Sequence, residues 1–170
     1  MAIWTEFDKV IKMQLKRKSL LPYKISSFCK YNYPQVIELL PDEKKPHFKT
    51  LYWLTCPYLS KKIGKLESEG FITKLSEYIK ENVEIFKSQT QKYSKILEKT
   101  AENKLGYVPE NIKELGVGGI SDIMFPKCLH AHFAYYLIDK SYIAGEFINK
   151  NIESLNCDNN YCKEQEEVKK

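Results

Sequence analysis

The sequence of 170 residues predicts an α+β fold, mostly helical, with a small antiparallel sheet over residues 23–55. Three observations lead there. Apolar residues recur at helical spacing through 3–18, 57–101 and 126–155. Between 23 and 55, short runs of aromatic and branched residues alternate with turn-forming stretches. Proline or glycine stands at several of the boundaries, where each ends or starts an element.

The first helix is carried by Ile3, Phe7, Val10, Ile11 and Leu15 and ends on Lys16-Arg17-Lys18, cations that complement exposed helix carbonyls. Leu21-Pro22 breaks it. Tyr23–Cys29 and Pro34–Leu40, separated by Lys30-Tyr31-Asn32-Tyr33, read as a β-hairpin. Pro41 to Pro46 is a charged turn, and Thr50–Thr55 a third strand ended by Cys56-Pro57. Pro57 suits the first helical position, Leu59, Ile63 and Leu66 follow at helical spacing, and Gly70 stops that helix. Leu75, Ile79, Val83 and Phe86 start the next stretch, which runs to Ala101 with a break near Asn82 or Gln89. A loop follows from Gly106 to Asp122, then helices from about Pro126 to Asp139 and from about Ile143 to Leu155. Residues 1–156 read as one globular domain, and 157–170 as a flexible, frayed tail.

Composition narrows the function classes. Hydrophobic residues make up 43% and charged residues 29%, ordinary for a globular chain. No apolar run approaches the ~20 residues of a membrane span, and the first residues lack the pattern of a signal peptide. A cytoplasmic location is expected, with Cys29, Cys56, Cys128, Cys157 and Cys162 reduced. The net charge is +5, yet Arg17 is the only arginine. Guanidinium is the group that reads guanine edges, so sequence-specific nucleic-acid recognition is not expected.

The chemistry-bearing segment is Pro126-Lys127-Cys128-Leu129-His130-Ala131-His132. It places one thiol and two of the three imidazoles within five residues at the start of a helix. With 100° per residue, Cys128, His132, Tyr135 and Asp139 form one stripe, and His130 falls about 200° round from Cys128. Cys128 and His132 can therefore share a ligand; His130 joins them only if the first turn is distorted or the helix starts later than Pro126 suggests. Cys29 and Cys56 end two of the expected strands, where side chains converge. Cys29, Cys56, Cys128, His130 and His132 are accordingly the candidate ligands for a zinc or iron ion. Buried packing of the same residues is the competing reading. Gly116-Val117-Gly118-Gly119, running toward Lys127, offers backbone amides and an ammonium to a small anionic ligand, with Gly118, Gly119 and Lys127 the candidate contacts. A plain glycine turn is the competing reading there.

Thr50–Pro57, Gly118-Gly119 and Lys127–His132 together resemble a bacterial family known as domain of unknown function 501. The likeness extends to Cys29 and Tyr33–Ile37 and covers most of residues 23–145. It implies a small, soluble, single-domain bacterial protein of a family without an established activity. Some members look to be encoded near a septum-formation initiator, which points toward the cell envelope. The chain departs from the family pattern at Tyr142-Ile143-Ala144-Gly145, where an Asn-Pro-Val-Gly turn is usual, and at Lys49, where proline is usual.

Three functions follow from these residues. The leading one is a Cys/His metal site, hydrolytic toward an anionic substrate if one coordination position is open. The second is a Cys128 nucleophile with His130 or His132 as base. The third is a non-catalytic binding or scaffold protein, linked to cell division, in which these residues merely pack.

Overall fold

The computed structural model describes residues 6–44 and 48–168. Ile3 and Pro46, assigned above to the first helix and the charged turn, lie outside the described residues. Helix α1 spans Asp8–Leu15 and ends at Lys16, whose left-handed conformation (φ 53°) lets its amide reach back to the Lys12 and Met13 carbonyls. Strands β1 (Tyr23–Phe28), β2 (Pro34–Leu39) and β3 (Tyr52–Leu54) form one antiparallel sheet in the order β1-β2-β3. The hairpin register pairs Tyr23 with Leu39 and Ile25 with Ile37, and Trp53 lies opposite Ile37 from the other side. The central strand is buried over nearly its whole length, whereas β1 alternates between half-buried and exposed as an edge strand should.

Helix α2 (Pro57–Ser68) opens with Pro57 at its first turn, directly after Cys56. Gly70, at φ 78°, ends it and starts α3 (Phe71–Glu81). The break inside the long helical stretch falls at Asn82, where the side-chain amide donates to the Tyr78 carbonyl at 2.9 Å, and α4 (Val83–Leu105) follows. A 3-10 turn (Glu110–Ile112) and the glycine turn lead into α5 (Leu129–Ile138) and α6 (Ile143–Asn149). The mostly helical α+β architecture read from periodicity is the one the chain adopts. Among the described residues, no helix is long and apolar enough to cross a membrane.

Helix α5 is the hub. It packs on β3, α2 and α6, and all but three of its residues are buried. Tyr135 stacks on Tyr52 of β3 (centroids 5.9 Å) and meets Tyr93 of α4 edge-on at 5.1 Å. The Tyr93 hydroxyl accepts the Leu51 amide at 3.0 Å, so this aromatic layer carries its own polar partner. Gly145 lets α6 approach: a Cβ there would sit 2.0 Å from the Tyr136 Cβ.

The C-terminal segment departs from its sequence reading. Helix α6 stops at Asn149, short of Leu155, and α7 (Tyr161–Val168) stands where a frayed tail was expected. Hydrogen bonds to the hairpin hold the connecting residues: Gln35 Nε2 to the Leu155 carbonyl (2.9 Å) and the Tyr31 hydroxyl to the Asp158 carbonyl (2.7 Å). Polar composition suggested fraying; those long-range bonds are invisible to local periodicity.

Candidate metal centre

The site is set by where α5 begins. Leu129 is its first residue, and Cys128 stands before it in an extended conformation (φ −137°, ψ 110°). Helical projection therefore does not apply to Cys128. Its sulfur is hydrogen-bonded to His130 and receives the Ala131 amide, rather than sharing a face with His132. The late helix start that would bring His130 into the site is the observed one.

His132 goes elsewhere. It is 2% exposed, with Nδ1 2.5 Å from the Tyr142 hydroxyl and its ring stacked on that of Tyr142. Burial alone pushes the imidazole down to about 3, so the ring is neutral and locked in the core. Its expected ligand role has no support in this placement.

A carboxylate from α2 completes the constellation. Glu67 Oε1 accepts the Leu129 amide at 2.8 Å and lies 3.3 Å from His130 Nδ1. It thus caps the first turn of α5 from another helix, satisfying one of the amides that a helix start leaves unpaired. The second ring nitrogen, Nε2, faces the Ser60 carbonyl at 3.1 Å. Glu67, Cys128 and His130 present ligand atoms within 4.8 Å of one another, the one such group among the described residues. All three side chains are half-buried.

The electrostatics of the trio are mutual. Burial raises the Cys128 thiol, but the hydrogen bond from His130, the Ala131 amide and the imidazolium charge outweigh it, leaving the thiol below its ordinary range. His130 is raised to about 9, chiefly by its hydrogen bond to Cys128, against burial and with help from the Glu67 charge and the Ser60 carbonyl. Cys128 and His130 thus each favour the charged form of the other, beside the Glu67 carboxylate.

Cys128 and His130 open onto a cleft of about 340 Å³, within the range of small-ligand pockets. Arg17, Thr50, Tyr52, Trp53 and Gly118 line it as well. Arg17 leaves the C-terminal end of α1 and stacks over the Trp53 ring, 4.6 Å from its centroid. Tyr52 is pushed up to about 12, first by burial and then by the Glu38 and Asp139 charges, so its hydroxyl stays protonated.

The other expected residues are dispersed. Cys29 and Cys56 line a separate cavity with Cys157 and Cys162, not the Cys128 cleft. The three remote thiols do not meet in one pocket, because β1 and the start of α2 deliver Cys29 and Cys56 elsewhere. Of the anion-binding set, only Gly118 reaches the cleft. The Gly119 amide donates to the Gly116 carbonyl at 3.0 Å, closing a turn. A Cβ on Gly119 would lie 2.8 Å from the Lys49 carbonyl oxygen, so its glycine serves a close backbone approach. Lys127 is exposed and does not line the cleft.

Sequence reading missed Glu67 and the place of Arg17. Glu67 carried one weak sign: it sits in the last turn of α2, where the helix dipole disfavours a carboxylate. Arg17 was conspicuous as the lone arginine, but nothing local tied it to Trp53 or Cys128.

Neither the curated proteins nor the solved structures include a match to this chain. A family model described as protein of unknown function (DUF501) matches residues 25–150, a span that holds Glu67, Cys128, His130 and most of the cleft. The chain belongs to the DUF501 family.

Proposed function

We propose that Glu67, Cys128 and His130 hold a divalent transition-metal ion, zinc or iron, and that the site hydrolyses a small anionic substrate seated against Arg17. One observation carries the reading: a carboxylate, a thiol and an imidazole converge within 4.8 Å at the wall of a cleft. The Ser60 carbonyl on His130 Nε2 supports it, since a ligating histidine commonly donates its other N–H to an oxygen that fixes the ring. A mixed sulfur, nitrogen and oxygen set favours zinc or ferrous iron over calcium or magnesium. Three protein ligands would leave a coordination position open, and the ion would supply the acidity that makes a water nucleophilic near neutral pH. Arg17, held over Trp53, orients the anion.

The test is metal content together with hydrolysis. Chain purified without a histidine tag is loaded with zinc and assayed on anionic esters such as p-nitrophenyl phosphate. His130→Ala is expected to lose the ion and the turnover. Arg17→Ala is expected to raise KM about 10-fold, the worth of one partly exposed ionic contact of about 1.4 kcal/mol, while keeping the metal. Failure of the parent chain to bind metal at this site would end the proposal.

A second reading rests on the Cys128–His130 hydrogen bond: a thiolate nucleophile with an imidazolium partner. It is the less favoured one. Both ring nitrogens of His130 already face oxygen partners, Glu67 on Nδ1 and the Ser60 carbonyl on Nε2, so neither is reserved for a reacting thiol. If the double variant Cys128→Ser, His130→Ala left both metal content and cellular function unchanged, a binding or scaffold role would replace both.

A further inference from the structure

Four of the five cysteines line a second cavity that shares no lining residue with the Cys128 cleft. Cys29 follows β1, Cys56 precedes α2, and Cys157 and Cys162 come from the C-terminal segment. The cavity has a volume of about 10 Å³, room for a single water-sized sphere. No charged side chain lines it, and its wall is almost wholly apolar.

We propose that these four thiols form a tetrathiolate site for zinc that fastens the C-terminal segment to the sheet. The donor type fits: thiolates in a pocket without carboxylates select a soft or borderline ion and reject calcium and magnesium. The local geometry fits at Cys56, whose sulfur receives the backbone amides of Tyr58 and Leu59. Two amides aimed at one sulfur partly offset the negative charge that a metal-bound thiolate carries. Cys162 is likewise engaged, with Gln14 Nε2 3.3 Å from its sulfur.

The backbone brings the donors together independently of any ion. The Lys30 amide donates to Asn156 Oδ1 at 2.9 Å, which, with the Gln35 and Tyr31 bonds, docks the segment beside the hairpin. Asn32 (φ 60°) shapes the turn after Cys29, and its amide donates to the Cys29 carbonyl at 2.9 Å. Asn160 (φ 48°) shapes the turn before Cys162. Cys29 and Cys157 lie in connecting segments and Cys56 and Cys162 at the starts of α2 and α7. Some movement is required. No three of these sulfurs lie within 4.8 Å of one another, whereas sulfurs around a tetrahedral zinc at ~2.3 Å stand roughly 3.8 Å apart. Zinc binding therefore draws the segment inward and displaces the thiol protons.

The test uses the full chain, purified without a tag. Its zinc is counted by plasma mass spectrometry beside Cys157→Ser/Cys162→Ser and Cys128→Ser/His130→Ala. The first variant is expected to lose one equivalent that the second retains, so the two sites stand or fall separately. Should the first variant fail to fold, the parent still decides. Four thiols are expected to resist Ellman's reagent until a chelator strips the metal, and cobalt is expected to give the intense bands of a tetrahedral tetrathiolate. Unchanged zinc in a folded Cys157→Ser/Cys162→Ser variant, four thiols that react freely in the as-purified chain, or disulfides in their place would each overturn the proposal.

Discussion

Glu67 Oε1 lies 3.3 Å from Nδ1 of His130 while also accepting the amide of Leu129 at 2.8 Å. One carboxylate oxygen, delivered by α2, thus both starts α5 and faces its imidazole. Structure and chemistry are coupled at that atom, and they can be separated by substitution. Glu67→Gln keeps an acceptor for the Leu129 amide but removes the charge. Metal affinity is expected to fall by at least about 10-fold, the cost of losing even an outer partner of a ligand, with little change in Tm. Glu67→Ala loses the cap as well and is expected to be about 1 kcal/mol less stable than Glu67→Gln. Thermal melts beside zinc titrations distinguish the two.

Reactivity should single out Cys128 among the thiols. Its pKa is lowered on balance, whereas burial pushes Cys56 up to about 11. In metal-free protein at neutral pH, iodoacetamide is expected to label Cys128 well before Cys56, as read by peptide mass spectrometry. Zinc is expected to suppress labelling at Cys128. Equal rates at the two positions would contradict the lowering of the Cys128 thiol by His130.

His132 makes the fold acid-sensitive. Its folded pKa of about 3 lies below the ordinary value of 6.5, so the folded state holds the neutral ring. The stabilisation is fully present above the unfolded value and is lost as pH falls from there toward 3. By pH 5 this group alone is expected to cost about 2 kcal/mol. His132→Phe keeps an aromatic ring against Tyr142 and is expected to flatten the decline between pH 7 and 5 in urea-melt stability, at the cost of the hydrogen bond to the Tyr142 hydroxyl.

Among the described glycines, Gly145 at the α5–α6 contact leaves the least room for a side chain. Gly145→Ala would place a methyl group 2.0 Å from the Tyr136 Cβ and 3.1 Å from the His132 carbonyl oxygen. A loss of about 3 kcal/mol is expected, with a weaker zinc site because α5 must move. Gly64→Ala, where a Cβ meets nothing within 4 Å, is the matched control and is expected to be neutral or stabilising.

Elements whose boundaries are local were legible in the sequence. Pro57 and Gly70 bracket α2, Asn82 divides α3 from α4, and the hairpin at 23–40 follows from two β-rich runs around a polar turn. The site was legible only in part. Cys128 and His130 stood out by residue type, but their pairing depends on Cys128 being extended, a feature that Pro126 two residues earlier did not reveal. Glu67 is 63 residues from His130 and meets it only through α2 packing on α5. Cys29 and Cys56, which residue type alone groups with Cys128, line a different cavity beside the C-terminal segment docked on the hairpin. Long-range docking was the missing information in each case.

The metal count of untagged parent chain against Cys128→Ser/His130→Ala, with circular dichroism on both, bears most directly on the proposed centre. One equivalent fewer in the variant, with an unchanged helical spectrum, is expected. Equal metal in the two proteins, or none in either, would contradict a metal held by Glu67, Cys128 and His130.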